Sequence, residues 1–222
     1  MQYRHLFFDL DHTLWDFDTN SKEALKDLYD INQLHHKGTE HFDDFFERYS
    51  YHNHLLWEKY AKGLIKQDEL RWKRMYLAML DFKFADEKLS RSMGVEFLDI
   101  LPNKNKLFPY THEILGYLKE KGYILHLITN GFEKVQQHKL AKSNIANYFT
   151  EMITSEVSNS LKPNKEIFDY ALNKTGANTS NSIMIGDNLD ADIQGGINAG
   201  LDTVFVNHIN ASTSIEPTYT IF

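Results

Sequence analysis

The chain has 222 residues, enough for one large domain or one domain carrying a smaller insert. Apolar residues make up 42% and charged residues 25%, ordinary values for a globular chain that can bury a sizeable core. A formal charge of −7 offers no general basic surface to a nucleic acid backbone, and the absence of cysteine excludes disulfides, thiolate chemistry and cysteine-held zinc.

The first predicted element is a short buried strand in YRHLFFDLD, ending on Asp9 and Asp11. The opening MQYRHLFFDLDHTL has no signal-peptide pattern, because aspartates break the apolar run at once. No stretch approaches the roughly 20 apolar residues of a membrane span. The expectation is a cytoplasmic protein that engages neither a membrane nor a nucleic acid polymer. TNSKEALKDLYDINQL reads as a helix, with Asn20 and Glu23 as a capping box and Ala24, Leu25, Leu28 and Leu34 on one face. From about residue 40 to 100 the signals are helical throughout. FDDFFERYSYHNHLLWEKYAKG places Phe42, Phe45, Phe46, Tyr49, Leu56 and Tyr60 at helical spacing and closes on Gly63. DELRWKRMYLAML and DEKLSRSMGVEFLDIL predict two more helices that start at aspartates.

Near Pro102 the pattern changes to alternating helices and strands. THEILGYLKEKG predicts a helix, YILHLIT a strand, EKVQQHKLAKS a helix and EMITS a short strand. PNKEIFDYALNKTG predicts a helix with Pro163 in its first turn and Gly176 beyond its end. SIMIGD, ADIQGGINAG and TVFV follow as strand, helix and strand, and the tail after residue 207 reads as a loop plus an edge strand. Such alternation builds right-handed βαβ units into a mainly parallel sheet covered by helices. The fold class expected is therefore α/β, a three-layer α/β/α core over residues 1–15 and 99–222, with an inserted helical domain over 16–98.

Ligands of open parallel sheets bind beyond the carboxyl ends of the strands. Those ends carry Asp9 and Asp11, then Thr129, Asn130 and Gly131, then Lys162, then Asp187 with Asp190 and Asp192. Each piece alone has an ordinary structural use. Aspartates after a strand cap turns, TNG is a common turn, and a lysine before proline is usually solvated. GDNLDAD can cap a helix, whereas a calcium loop fails on spacing, with no glutamate at the closing position. Together they fit one chemistry. A carboxylate attacks phosphorus, a second carboxyl moves protons, and a lysine and a hydroxyl hold phosphate oxygens. A hard cation such as Mg²⁺ offsets the repulsion between the carboxylates.

DLDHTL, ITNG, LKP and GDNLDAD resemble the four successive motifs of the haloacid dehalogenase superfamily, in its phosphatase branch. The resemblance implies a Rossmann-like sheet with the first strand central, and a squiggle and hairpin flap near Leu14 to Asp18. It also implies a type I helical cap between the first two motifs. It makes Asp9 the nucleophile and Asp11 the general acid/base, with Thr129 and Lys162 completing the catalytic set. Asp9, Leu10, Asp11, Thr129, Asn130 and Lys162 would hold the phosphate. Mg²⁺ would be the cofactor, bound by Asp9, Asp11 through its carbonyl, and Asp187, with Asp192 and Thr13 behind them. His12, where many members are acidic, reads as a loop residue.

The activity implied is hydrolysis of a small phosphate monoester through an aspartyl-phosphate. Alternatives are a sugar-phosphate phosphatase or phosphomutase, a 2-haloacid dehalogenase, and a non-enzymatic phospho-receiver. Asp11 argues against the dehalogenase, and the inserted helices argue against the receiver. WEKYAKGLIKQDELRWKR resembles the cap of a bacterial branch that contains pyrimidine 5′-nucleotidases, which makes nucleoside 5′-monophosphates the substrates expected. The clustered His35, His36, His41, His52 and His54 fit no tight zinc site and read as a solvated face. A monomer or weak homodimer is expected.

Overall fold

The computed structural model describes residues 3–212 and 214–222. In chain order the main elements are β1 (His5–Phe8), α1 (Phe17–Ile31), α2 (Phe42–Ala61), α3 (Gln67–Asp81) and α4 (Glu87–Ile100). There follow α5 (Thr111–Glu120), β2 (Ile124–Thr129), α6 (Glu133–Lys142), β3 (Phe149–Thr154), α7 (Ser155–Ser158) and α8 (Lys165–Thr175). The chain finishes with β4 (Ser182–Gly186), a π-helical turn over Leu189–Gln194, α9 (Gly195–Asn198), β5 (Asp202–Val206) and β6 (Tyr219–Ile221). Two compact units result, Met1–Phe17 with Asn105–Phe222, and Asp18–Lys104.

The first unit holds one six-stranded sheet in the order β3-β2-β1-β4-β5-β6, with every pairing parallel. This is a Rossmann-like α/β fold with β1 at the centre. β1 is buried along its whole length, as a strand covered on both faces must be, which explains its apolar run Leu6–Phe8. Phe7, Ile128, Ile153 and Met184 from four neighbouring strands pack with Ile167 and Phe168 of α8 in the central core cluster. β6 is the exposed edge strand, as the tail suggested.

The second unit is four helices and short connecting turns. Its interior takes Phe45, Tyr49 and Leu56 from α2, Met75 and Met79 from α3, and Phe97 from α4, whereas Phe42, Phe46, Trp57, Tyr60, Trp72 and Tyr76 are only half-buried. The Arg74 guanidinium is buried there, 4.8 Å from the Phe97 ring centre, and its Nη1 donates to Asn53 Oδ1 at 2.9 Å. His35, His36 and His54 are exposed, and His52 bonds Asp81 at 2.9 Å.

Four local expectations are corrected. Asn20 does not cap α1. The helix starts earlier, at Phe17, and Asn20 is fully buried within it. The extended linker ends at Asp16, whose amide donates to the Lys106 carbonyl, so the chain can coil at once. α3 starts at Gln67 rather than at Asp68, and the Lys66 amide is satisfied by Glu69 Oε2 at 3.2 Å. Pro163 lies outside α8, which begins at Lys165 after Asn164. Both backbone groups of Lys162 are tied to the Asn130 side chain, so the chain cannot coil until it is past Pro163. ADIQGGINAG starts as a π-helical turn. The Asn188 carbonyl accepts from both Asp192 and Ile193, and the widened turn delivers Asp192 inward.

His126 on β2 is buried, stacks on Phe7 at 4.9 Å, and shares a hydrogen bond with His5 Nδ1 at 3.1 Å. Burial pushes its imidazole down to about 4. The unfolded chain takes up this proton near the ordinary histidine value, and the folded chain resists it. The contribution to stability is therefore complete above about pH 6.5 and is lost as pH falls towards 4. We expect about 2 kcal/mol of this loss by pH 5. Urea unfolding at pH 7.5 and 5.0 should show His126→Phe losing less stability on acidification than the parent, and equal losses would refute the assignment.

Candidate active site

The first segment follows β1. Leu14 and Trp15 amides both donate to the Leu10 carbonyl, at 3.0 and 2.9 Å, making one helical turn directly after Asp9. His12, with φ 65°, turns the chain so that its amide reaches the Trp15 carbonyl. The flap implied at Leu14 to Asp18 is not a hairpin. The linker instead pairs with the returning chain, through Phe108 N to Leu14 O and a bridge between Trp15 and Leu107, and α1 follows immediately. Leu10 is fully buried, its side chain part of the core.

The carboxyl ends of β1, β2 and β4 and the loop before α8 bring the predicted residues together. Lys162 Nζ is 2.6 Å from Asp9 Oδ1 and 2.6 Å from Asp192 Oδ1. Lys162 is itself placed by a two-way clamp. Asn130 Nδ2 donates to its carbonyl at 2.9 Å, and its amide donates to Asn130 Oδ1 at 2.8 Å. Asp192 Oδ2 accepts from the Asn188 amide at 3.0 Å. A Cβ on Gly186 would lie 2.2 Å from Asp192 Oδ2, so only glycine can end β4 with Asp192 this close. Thr13 Oγ1 donates to Asp187 Oδ1 at 2.8 Å. Thr129 Oγ1 accepts from the Gly131 amide at 3.0 Å.

Asp9, Asp187 and Asp192 form an acidic cluster whose oxygens lie within 4.8 Å of one another. Burial pushes Asp9 up to about 7, with Lys162 opposing and Asp192 adding to the rise. Burial and the Asp9 charge push Asp187 up to about 6, and burial raises Asp192 as well. Burial alone would lower Lys162, but the Asp192 and Asp9 charges outweigh it and raise it. Three carboxylates against one ammonium leave negative charge in excess, and every donor in the cluster is an oxygen. That is the donor set of a hard divalent cation such as Mg²⁺.

The Asp11 side chain is turned away from this cluster, towards α6. Lys139 Nζ is 2.5 Å from Asp11 Oδ1, and Gln136 Nε2 is 2.9 Å from Asp11 Oδ2 and 2.8 Å from Thr129 Oγ1. Gln136 and Lys139 were not singled out in the sequence. The one available signal was the polarity of EKVQQHKLAKS, too rich in polar residues to bury an apolar face of ordinary width.

Residues 3–200 match the family described as haloacid dehalogenase-like hydrolase. The chain belongs to that family. Two curated relatives match over the whole chain. One is the pyrimidine 5′-nucleotidase PynA of Streptococcus pneumoniae, 32% identical over 100% of this chain and 92% of that protein. The other is the pyrimidine 5′-nucleotidase YjjG of Escherichia coli, 33% identical over 100% of this chain and 94% of that protein. Among solved structures, the HAD-hydrolase YfnB of Bacillus subtilis, bound to magnesium, superposes with a TM-score of 0.90 at 27% identity, covering 100% of this chain and 95% of that one. This haloacid dehalogenase-like hydrolase is thus an enzyme of the phosphatase type. Among its described residues no helix is long and apolar enough to cross a membrane.

Proposed function

We propose that this hydrolase is a Mg²⁺-dependent 5′-nucleotidase that cleaves pyrimidine nucleoside 5′-monophosphates through an aspartyl-phosphate at Asp9. The observation that carries the chemistry is the pair of carboxylates on one strand end with opposite surroundings, Asp9 on Lys162 and the acidic cluster, Asp11 on α6. Whole-length likeness to two proteins named as pyrimidine 5′-nucleotidases supports the substrate class.

Lys162 takes Asp9 Oδ1, which leaves Oδ2 to attack phosphorus. The bond to the nucleoside oxygen breaks as the Asp9–phosphorus bond forms, and Asp11 supplies the proton that oxygen needs. Water then attacks the phosphorus, gives its proton to Asp11, and frees Asp9 and inorganic phosphate. Thr129 Oγ1, the Asn130 amide and Lys162 Nζ hold the phosphate oxygens while charge redistributes. Asp9, Asp187 and the Asp11 carbonyl would hold Mg²⁺, with Thr13 and Asp192 orienting this set. When bound, the ion supplies positive charge to the phosphate oxygens and offsets the crowded carboxylates. The helical unit, read as a cap, would select the nucleoside.

Phosphate release from a panel of monoesters tests this reading. We expect higher kcat/KM for pyrimidine nucleoside 5′-monophosphates than for hexose phosphates, and loss of activity in excess chelator that added Mg²⁺ restores. A panel won by hexose phosphates would remove the nucleotidase assignment. Undiminished turnover in chelator would remove the metal.

A further inference from the structure

We propose that Gln136 and Lys139 of α6 are positioning residues for this reaction, holding the Asp11 carboxyl in place and fixing Thr129 as a hydrogen-bond donor to the substrate. The inference rests on the phosphatase reading of the site and assigns roles to two residues outside the motifs.

Lys139 and Gln136 lie three apart on one face of α6, with 2% and 0% of their surface exposed. Burying an ammonium and an amide is costly unless their donors are used. They are used on Asp11, one on each carboxylate oxygen. The Lys139 ammonium is further confined by two rings, 4.2 Å from the centre of Trp15 in the linker and 5.5 Å from the centre of Phe17 at the start of α1. Asp11 is consequently fixed at both oxygens by one rigid helix, and the turn from Asp11 to Trp15 is clasped by the same lysine. A group that must meet the leaving oxygen and later a water gains from such preorganisation, since misplacement by about 1 Å can cost on the order of 10²-fold in rate.

The donor count at Thr129 is more specific. Gln136 Nε2 has two hydrogens and two acceptors within reach, Asp11 Oδ2 at 2.9 Å and Thr129 Oγ1 at 2.8 Å. Thr129 Oγ1 also accepts from the Gly131 amide at 3.0 Å. With both lone pairs engaged, the hydroxyl has only its own hydrogen to offer, which is the polarity an anionic phosphate oxygen requires. Gln136 Oε1 is buried with no hydrogen-bond partner among the described residues, so the amide is placed for its donors at the expense of its acceptor. Gly131 makes room for it, because a Cβ there would lie 2.4 Å from Gln136 Nε2. The glycine of ITNG thereby acquires a reason. It admits the side chain that links Asp11 to Thr129.

The test is steady-state kinetics with Mg²⁺ on two esters, 4-nitrophenyl phosphate and a nucleoside 5′-monophosphate. The leaving oxygen of the first needs little protonation and that of the second needs it fully. Lys139→Met should lower kcat on the nucleotide by about 10- to 100-fold with KM within about 3-fold, and lower kcat on the aryl ester less. Gln136→Leu should lower kcat and also raise KM, since it releases Thr129 as well. Gly131→Ala, which displaces the Gln136 amide without removing it, should reproduce Gln136→Leu. Lys139→Arg keeps the charge and should recover most of the nucleotide kcat, which a mere packing role would not predict. An equal loss on both esters, a rise in KM alone for Lys139→Met, or parental kinetics in all variants would overturn the inference. A parent inactive on both esters would instead overturn the phosphatase reading beneath it.

Discussion

Asp9→Asn should reduce turnover of a nucleoside 5′-monophosphate by on the order of 10⁴-fold or more, the scale on which loss of a covalent nucleophile is felt. The substitution is nearly isosteric and leaves an oxygen for Lys162, 2.6 Å away in the parent, so the fold has no reason to collapse. What it removes is the second carboxylate oxygen, the one that must bond to phosphorus. Asp11→Asn makes a different kind of defect. Its nucleophile is intact, but the amide can neither protonate the leaving oxygen nor take a proton from water, each a loss of about 10²- to 10⁴-fold. With 4-nitrophenyl phosphate, where the leaving oxygen departs unaided, Asp11→Asn should form phosphoenzyme and release it slowly. Asp9→Asn should form none. Acid quench followed by intact-mass measurement distinguishes the two, and parental turnover by Asp9→Asn would place the nucleophile elsewhere.

Lys162→Met should have the largest effect on the protein itself. Its ammonium is the counter-charge of two buried carboxylates, both at 2.6 Å. Removing one partner of a buried pair leaves uncompensated charge, which typically costs about 3–5 kcal/mol. For a chain of this size each kcal/mol moves the melting temperature by about 2–4 °C, so a fall of roughly 6–20 °C is expected in metal-free buffer. Mg²⁺ should recover part of it by binding a cluster that has lost this ammonium. Activity should fall on every phosphate ester alike, because each presents the same group to this lysine. A melting temperature unchanged in chelator would mean that the site is hydrated well enough to solvate Asp9 and Asp192 without Lys162.

Much of this was written locally. A strand buried on both faces is largely apolar, and HLFF is after its leading His5, so β1 was legible as a central strand whose end carries Asp9 and Asp11. The alternation after Pro102 fixed the order of the remaining strands and helices for a similar reason. A parallel crossover needs an amphipathic helix of some length, and such helices announce themselves by period. The polar ends of three strands, with the turn that carries Lys162, then had to share one edge, whatever the details of packing.

The boundaries were less legible. Asn20 and Glu23 satisfy the chemistry of a capping box, yet the helix already begins at Phe17 because a linker contact, Asp16 to Lys106, ends the extended segment there. That contact joins positions 90 apart in the chain, and no window of local sequence contains it. Pro163 has the right conformation for a first helical turn, but Asn130, from another strand, holds Lys162 and delays the helix to Lys165.

The sequence by itself determined the fold class, the placement of Asp9, Asp11, Thr129, Lys162 and Asp187 along one edge, and the surplus of negative charge that calls for a cation. These depend on period, residue type and strand order, which are properties of the chain read in one dimension. Only the tertiary structure decided which way each side chain turns. Asp192 faces Lys162 and the acidic cluster because a π-helical turn and a bare Gly186 let it in. Asp11 faces α6 because Lys139 and Gln136 arrive from more than a hundred residues away to hold both of its oxygens. A hydrogen bond between distant residues costs the chain nothing in local pattern, and so it leaves no local mark.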